Sequence, residues 1–158
     1  MGKIRCLILD VDGTLTDGKV NISDSGELFK SFDIKDGYAI KNILPQFGIL
    51  PVVITARTSN ITQIRCEELN IAHCYQGVAD KLAFVENQLL QELNLTLDNI
   101  AYVGDDLPDL PCMKQCAVKG CPADAVKEVK ELCDFISVKT GGNGAVREFV
   151  EWMIQWNG

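Results

Sequence analysis

The sequence predicts an α/β sandwich built on a parallel sheet, on three observations. Short apolar runs recur along the chain, helical patterns lie between them, and two of the runs end in clusters of carboxylates. Ile4 to Val11 reads IRCLILDV, the nearly continuous apolar run of a strand covered on both faces. Leu50 to Ile54 and Ile100 to Val103 repeat it, with weaker versions at Cys74 to Tyr75 and Phe135 to Ile136. Helices are predicted over Tyr38 to Phe47, Ile61 to Leu69, Lys81 to Leu93, Leu107 to Lys114, Ala123 to Leu132 and Ala145 to Trp156. Pro45 and Pro111 blur the ends of two of them. One segment interrupts the alternation: Lys19 to Ile22 and Leu28 to Phe32 flank Ser23-Asp24-Ser25-Gly26, whose turn chemistry predicts a β-hairpin.

Length and composition bound the function. The 158 residues suit a single domain, 1–158, with the hairpin as an insertion at about 19–32. Hydrophobic residues at 47% and charged residues at 23% support a packed core rather than a disordered chain. Fifteen Lys plus Arg against 22 Asp plus Glu give a net charge of −7, which argues against broad electrostatic binding to nucleic acid or to a membrane face. An anionic ligand must therefore meet a local exception. No run of about 18 apolar residues is present to span a bilayer, and the opening Met1-Gly2-Lys3-Ile4-Arg5 does not read as a secretory signal. The seven cysteines are odd in number and sit mostly among core-like residues, which suits reduced thiols in a cytoplasmic protein.

The chemistry concentrates directly after the first apolar run, in Asp10-Val11-Asp12-Gly13-Thr14-Leu15-Thr16-Asp17-Gly18. Asp10 and Asp12 leave the carboxyl end of a parallel strand, where open α/β sheets place their ligands. Neither carboxylate is stable buried alone, because an isolated interior charge is expensive or titrates until neutral. A divalent cation resolves that conflict, and hard oxygen donors beside a phosphate suit Mg²⁺. A second cluster, Gly104-Asp105-Asp106-Leu107-Pro108-Asp109, follows Ile100 to Val103, so the topology delivers more acid to the same sheet edge. Thr55 ends the run VVIT, and Lys81 opens a helical pattern after Tyr75-Gln76-Gly77. A hydroxyl hydrogen-bonds a phosphoryl oxygen, and an ammonium stabilises both a phosphate and a nucleophilic carboxylate. An Asp-x-Asp by itself is most often a solvated turn or a helix cap; four such features after successive strands carry the argument.

In Asp10-x-Asp12-Gly13, Thr55, Lys81 and Gly104-Asp105-Asp106-x-x-Asp109 the chain resembles the haloacid dehalogenase superfamily of phosphotransferases. The resemblance spans essentially the whole chain and implies a three-layer Rossmann-like fold with a central parallel sheet. It implies that Asp10 attacks phosphorus to form an aspartyl-phosphate, and that Asp12 protonates the leaving alcohol and then activates water. Thr55 and Lys81 complete the catalytic set. Mg²⁺ would be held by the Asp10 carboxylate, the Asp12 main-chain carbonyl and Asp105, with Asp106 and Asp109 in support.

A narrower resemblance lies in Leu15-Thr16-Asp17-Gly18, Phe32-Asp33-Ile34-Lys35-Asp36-Gly37-Tyr38, Tyr75-Gln76-Gly77 and Gly141-Gly142-Asn143-Gly144-Ala145-Val146-Arg147-Glu148. These are similar to the capless 3-deoxy-D-manno-octulosonate 8-phosphate phosphatases, a branch related to the acylneuraminate 9-phosphate phosphatases. That resemblance implies a phosphorylated sugar acid as substrate and a homotetramer formed through the hairpin, with neighbouring subunits covering each other's sites. It implies substrate contacts from Asp33, Ile34, Lys35, Asp36, Gly37, Lys41, Arg57, Arg65 and Lys81. Arg57 and Arg65 would align across about two turns of a helix that began before Arg57. Three departures stand out. Ala56 occupies a usual Gly position, Lys41 keeps the charge of a commoner Arg but not its planar fork, and the C-terminal tail that some relatives insert into a neighbouring site is expected to be missing after Gly158.

A phospho-acceptor signalling domain of the receiver type also uses clustered Asp, a Thr and a Lys, but its acceptor Asp follows a mid-chain strand. Here the double-acid motif comes first and the other cluster late. Cys112, Cys116 and Cys121, with His73-Cys74 elsewhere, match no Cys-x-x-Cys metal pair and read as small buried hydrophobes. Trp152 and Trp156, with Phe149, read as a packing face of the last helix. Gly141 to Gly144 reads either as an anion-binding loop or as a plain helix-entry turn.

Overall fold

A computed structural model describes residues 3–158. The chain opens on β1 (Cys6–Leu9), shorter than the predicted Ile4 to Val11 because Asp10 and Val11 already turn into the acidic loop. A small hairpin follows, β2 (Asn21–Ser23) and β3 (Gly26–Phe29), antiparallel and joined through Asp24 and Ser25. It is briefer at both outer ends than the predicted strands and forms a sheet of its own.

Helical structure then runs unbroken from Ile34 to Gln46, as α1 (Ile34–Tyr38), a π-helical stretch Ala39–Ile43 and α2 (Leu44–Gln46). It begins four residues before the predicted Tyr38. The Asp33 side chain, which accepts from the Lys35 N–H at 2.6 Å, caps the start. β4 (Leu50–Ile54), α3 (Asn60–Glu68) and β5 (His73–Tyr75) come next. Because α3 begins only at Asn60, Arg57 lies in the preceding loop and does not share a helix face with Arg65. The predicted Lys81 to Leu93 helix is α4 (Lys81–Phe84), a π stretch Val85–Leu89 and α5 (Leu90–Leu93), ended by Asn94 in the left-handed conformation.

β6 (Ile100–Val103) leads into a 3₁₀ turn Leu107–Asp109 and the short α6 (Leu110–Met113). β7 (Val118–Cys121) has no counterpart in the predicted elements, since Lys119 and Gly120 break its apolar pattern. α7 (Lys127–Leu132) starts later than the predicted Ala123, because Ala125 closes a turn back to Pro122. β8 (Phe135–Ile136) and α8 (Ala145–Asn157) complete the chain.

Six strands form one parallel sheet in the order β5-β4-β1-β6-β7-β8. The chain lays β4 and β5 to one side of β1, then returns to place β6 on the other. That reversal makes the carboxyl ends of β1 and β6 the topological switch point, the crevice in which such sheets bind ligands. Side chains alternate across β1: Leu7 and Leu9 join a core with Ile40, Leu44, Phe149 and Met153, while Cys6 and Ile8 join one with Val85, Leu89, Tyr102 and Met113. Both faces of the sheet are covered, which explains the unbroken apolar reading of its central strands. No helix among the described residues is long and apolar enough to cross a membrane.

Candidate active site

Asp10 sits one residue beyond β1, its N–H donating to the Val103 carbonyl at 3.1 Å, so β6 fixes the exit angle of the loop. Asp105, two residues beyond β6, approaches from the adjacent strand. Gly13 makes the approach possible: with φ of +90°, a Cβ there would lie 2.0 Å from Asp105 Oδ2. Oxygens of Asp10, Asp105 and Asp109 lie within 4.8 Å of one another. Lys81, at the start of α4, reaches in from the other side, with Nζ 2.8 Å from Asp10 Oδ1 and 2.7 Å from Asp109 Oδ1.

The three carboxylates are not equivalent. Asp109 Oδ1 accepts from Lys81 and from the buried Tyr102 hydroxyl at 2.7 Å, and Oδ2 accepts from the Asp105 and Asp106 N–H groups. With both oxygens occupied, Asp109 is a fixed anchor for Lys81 and for the Asp105 backbone. Burial pushes the Tyr102 phenol well up, and the Asp109 and Asp10 charges add to it, so it stays a donor. Burial likewise raises Asp10, and the Asp109 charge raises it further against the pull of Lys81. Asp105 is raised by burial, then by the hydrogen bond and charge of Asp10, and its remaining donor is the Thr14 hydroxyl at 3.1 Å. For Lys81, burial opposes the charge, yet Asp10 and Asp109 outweigh it and the ammonium is held.

Two adjacent carboxyls that both resist ionisation, built from hard oxygen donors, fit a divalent cation that would replace the proton between them. Asp10 and Asp105 suit this role. Asp12 lies outside this carboxylate cluster, its Oδ1 accepting from Lys30 at 2.6 Å, so a metal contact from it would fall to its main-chain carbonyl.

Asp10, Asp12, Thr55, Arg57, Lys81, Asp105 and Asp109 line one cleft of about 230 Å³. The other residues singled out for substrate lie elsewhere in the chain. Ile34, Gly37, Lys41 and Arg65 line a second cleft of about 220 Å³ that shares no lining residue with the first. Arg65 lies 5.4 Å from the Phe32 ring centroid and pairs with Glu68 at 2.9 Å. Asp33 caps α1, and Lys35 is exposed on it. Asp36 departs from the expected substrate contact: it is 2% exposed, and its Oδ1 accepts from the Arg147 N–H at 2.9 Å, so its carboxylate holds the start of α8. The larger apolar depression, about 510 Å³ beside Ile40, Pro45, Ile49 and Leu69, has no part in this chemistry.

Tyr102 and Lys30 also belong to the site, although little in the sequence marks them. The only signal for Tyr102 is a hydroxyl inside the buried run IAYV; for Lys30 it is a Glu27/Lys30 spacing of three that any exposed pair could show. Gly141 to Gly144 is the helix-entry turn, with Gly144 in the left-handed conformation at the start of α8, and it also packs on the acidic loop. Gly142 N–H donates to the Thr14 carbonyl at 3.2 Å, and a Cβ on Gly141 would lie 2.0 Å from the Gly13 carbonyl oxygen. The glycines let this stretch buttress the loop that carries Asp10 and Asp12.

The site is a cleft at the switch point of a Rossmann-like sheet, walled by two acidic loops, a buried lysine and a threonine. Residues 46–149 match the family model of haloacid dehalogenase-like hydrolases. The chain belongs to that family. It is 41% identical over 152 residues, 96% of this chain and 79% of the other, to the 3-deoxy-D-manno-octulosonate 8-phosphate phosphatase KdsC of Escherichia coli K12. The crystal structure of 3-deoxy-D-manno-octulosonate 8-phosphate phosphatase from Moraxella catarrhalis, in complex with magnesium, phosphate and KDO, superposes with a TM-score of 0.90 at 37% identity, covering 96% of this chain and 86% of that one. The cobalt-bound deoxy-D-mannose-octulosonate 8-phosphate phosphatase of Haemophilus influenzae gives 0.92 at 35% identity, covering 99% and 90%.

Proposed function

We propose that this chain is a Mg²⁺-dependent phosphomonoesterase that hydrolyses 3-deoxy-D-manno-octulosonate 8-phosphate through an aspartyl-phosphate on Asp10. The observation that carries the reading is the Asp10–Lys81–Asp109 cluster at the switch point of a chain 41% identical to KdsC over 96% of its length.

Asp10 is the nucleophile: its carboxylate attacks phosphorus, an aspartyl O–P bond forms and the ester P–O bond breaks. Asp12 gives its proton to the departing sugar oxygen. It then takes a proton from the water that attacks the acyl-phosphate, which breaks the O–P bond, frees phosphate and restores Asp10. Lys81 and the Thr55 hydroxyl hold the phosphoryl oxygens, and Lys81 also fixes Asp10 against rotation. Mg²⁺, held by the Asp10 carboxylate, the Asp12 main-chain carbonyl and Asp105, supplies the positive charge that lets an anionic carboxylate meet an anionic phosphate.

Residues 1–158 act as one catalytic domain with the hairpin as its insertion. Arg57, in the reaction cleft, meets the sugar acid directly. Lys41, Arg65 and the α1 segment Asp33, Ile34, Lys35 and Gly37 act in a homotetramer, where one subunit's second cleft borders a neighbour's reaction cleft. The exposed Ile34 and the exposed hairpin residues Val20, Ile22, Leu28 and Phe29 support such an assembly. The enzyme works in the cytoplasm on a soluble sugar phosphate. Phosphate release measured across a panel of sugar-acid phosphates tests the substrate: 3-deoxy-D-manno-octulosonate 8-phosphate should show the highest kcat/KM, and preference for acylneuraminate 9-phosphate would reassign it.

A further inference from the structure

We infer that Lys30, on the strand end that leaves the hairpin, is a positioning residue for the Asp12 carboxyl. The inference rests on the phosphatase reading above. The Lys30 side chain is only 3% exposed, although most side chains of the hairpin face solvent. Its Nζ lies 2.6 Å from Asp12 Oδ1 and 3.2 Å from Glu27 Oε2. Glu27 accepts in turn from the Ser59 hydroxyl and lies 3.7 Å from Arg57. Since the hairpin is not hydrogen-bonded into the main sheet, this chain of charges runs from the insertion directly to the reaction cleft.

Sequestering an ammonium is costly, and here Glu27 carries the counter-charge while Asp12 Oδ1 accepts a hydrogen bond, which leaves the Asp12 proton on Oδ2. Among the described residues, the Lys30 contact is the only side-chain hydrogen bond that Asp12 makes. Its effect is geometric. With Oδ1 committed to Lys30, Oδ2 is the oxygen left to pass a proton to the leaving group and to receive one from water. Without that contact the carboxyl rotates freely at the mouth of the cleft. A general acid matters most when the leaving oxygen is a poor one, as in an alkyl phosphate, and little when the leaving group is p-nitrophenolate.

The test compares kcat/KM for Lys30→Met and wild type on two substrates: the sugar-acid phosphate that the wild type turns over fastest, and p-nitrophenyl phosphate. For the alkyl ester kcat/KM should fall about a hundredfold, the usual worth of a positioned acid, and for the aryl ester less than about fivefold. On the aryl ester kcat and KM should fall together, because breakdown of the aspartyl-phosphate still needs Asp12 as a base. Lys30→Arg, which keeps the charge and a donor, should recover most of the alkyl activity. Melting curves of both variants identify any loss of fold. An equal loss on both esters, or a rescue by Lys30→Arg that restores melting temperature without restoring the alkyl-to-aryl ratio, would mean that Lys30 only staples the hairpin. If Lys30→Met fails to fold, Glu27→Gln takes its place with the same direction of effect, and no change in the ratio there overturns the inference. A wild type that hydrolyses neither ester overturns the phosphatase reading itself, and this inference with it.

Discussion

Asp109 and Asp36 are both buried carboxylates, and they are compensated very differently. Asp109 has a partner for every lone-pair direction that matters, including an ammonium. Asp36 has backbone N–H donors at the start of α8 but no cation, and its Oδ2 has no partner. Burial therefore dominates and pushes the Asp36 carboxyl up to about 6 from an ordinary 3.8. Because the folded state binds this proton more readily than the unfolded chain, the contribution to stability is full below about pH 4 and is lost as pH rises through about 6. Two units correspond to roughly 3 kcal/mol. Asp36→Asn should remove that slope, so urea unfolding between pH 4 and 6.5 should show a flatter dependence than wild type; an unchanged slope would mean that Asp36 titrates normally. At this scale the sequence was informative where chemistry needs a particular residue type. Asp10, Asp12, Thr55, Lys81 and Asp105 are legible because three acids, a hydroxyl and an amine near strand ends have few structural uses together. Lys30, Tyr102 and Asp36 are not, since their meaning depends on partners 18, 7 and 111 positions away that no local pattern announces.

Elements bring these side chains together by backbone contact as much as by packing. The stretch before α8 lies against the loop after β1 so closely that glycine hydrogens are all that fit between them. Gly141→Ala would drive a methyl group against the Gly13 and Thr16 carbonyl oxygens, 2.0 and 2.8 Å from the ideal Cβ. Backbone cannot step aside as a side chain can. The variant should lose about 1–3 kcal/mol of stability, and its activity should fall because Asp10 and Asp12 ride on the displaced loop. Thermal melting and phosphate release should move together; full activity in a stable variant would contradict the buttress. Long apolar runs made β1, β4 and β6 readable, and Ala145 marked the start of α8 correctly. β7 escaped because its interior Gly120, against which Phe149 packs, and its Lys119 interrupt the pattern. The early start of α1 depends on an Asp33 cap that resembles any loop aspartate.

For the molecule as a whole, net charge was the most misleading number. A chain at −7 looks unfit for anionic ligands, yet its acids gather where a cation neutralises them and where Lys81 and Arg57 offset the rest. A single chain leaves two clefts apart, with basic residues in each. Assembly is the proposed means of uniting them. Light scattering after size exclusion should report a tetramer, and Ile22→Lys with Phe29→Lys, on hairpin side chains 64% and 52% exposed, should yield folded monomers with a raised KM. A wild-type monomer with full substrate selectivity would refute that assembly.

The central claim is that Asp10, in a cation-dependent acidic site, hydrolyses a sugar-acid phosphate. Phosphate release from 3-deoxy-D-manno-octulosonate 8-phosphate by metal-stripped protein, before and after addition of Mg²⁺, tests it most directly when wild type is run beside Asp10→Asn. Turnover is expected only in wild type and only with Mg²⁺, with both proteins folded. Release without the cation, or release by Asp10→Asn near the wild-type rate, would contradict it.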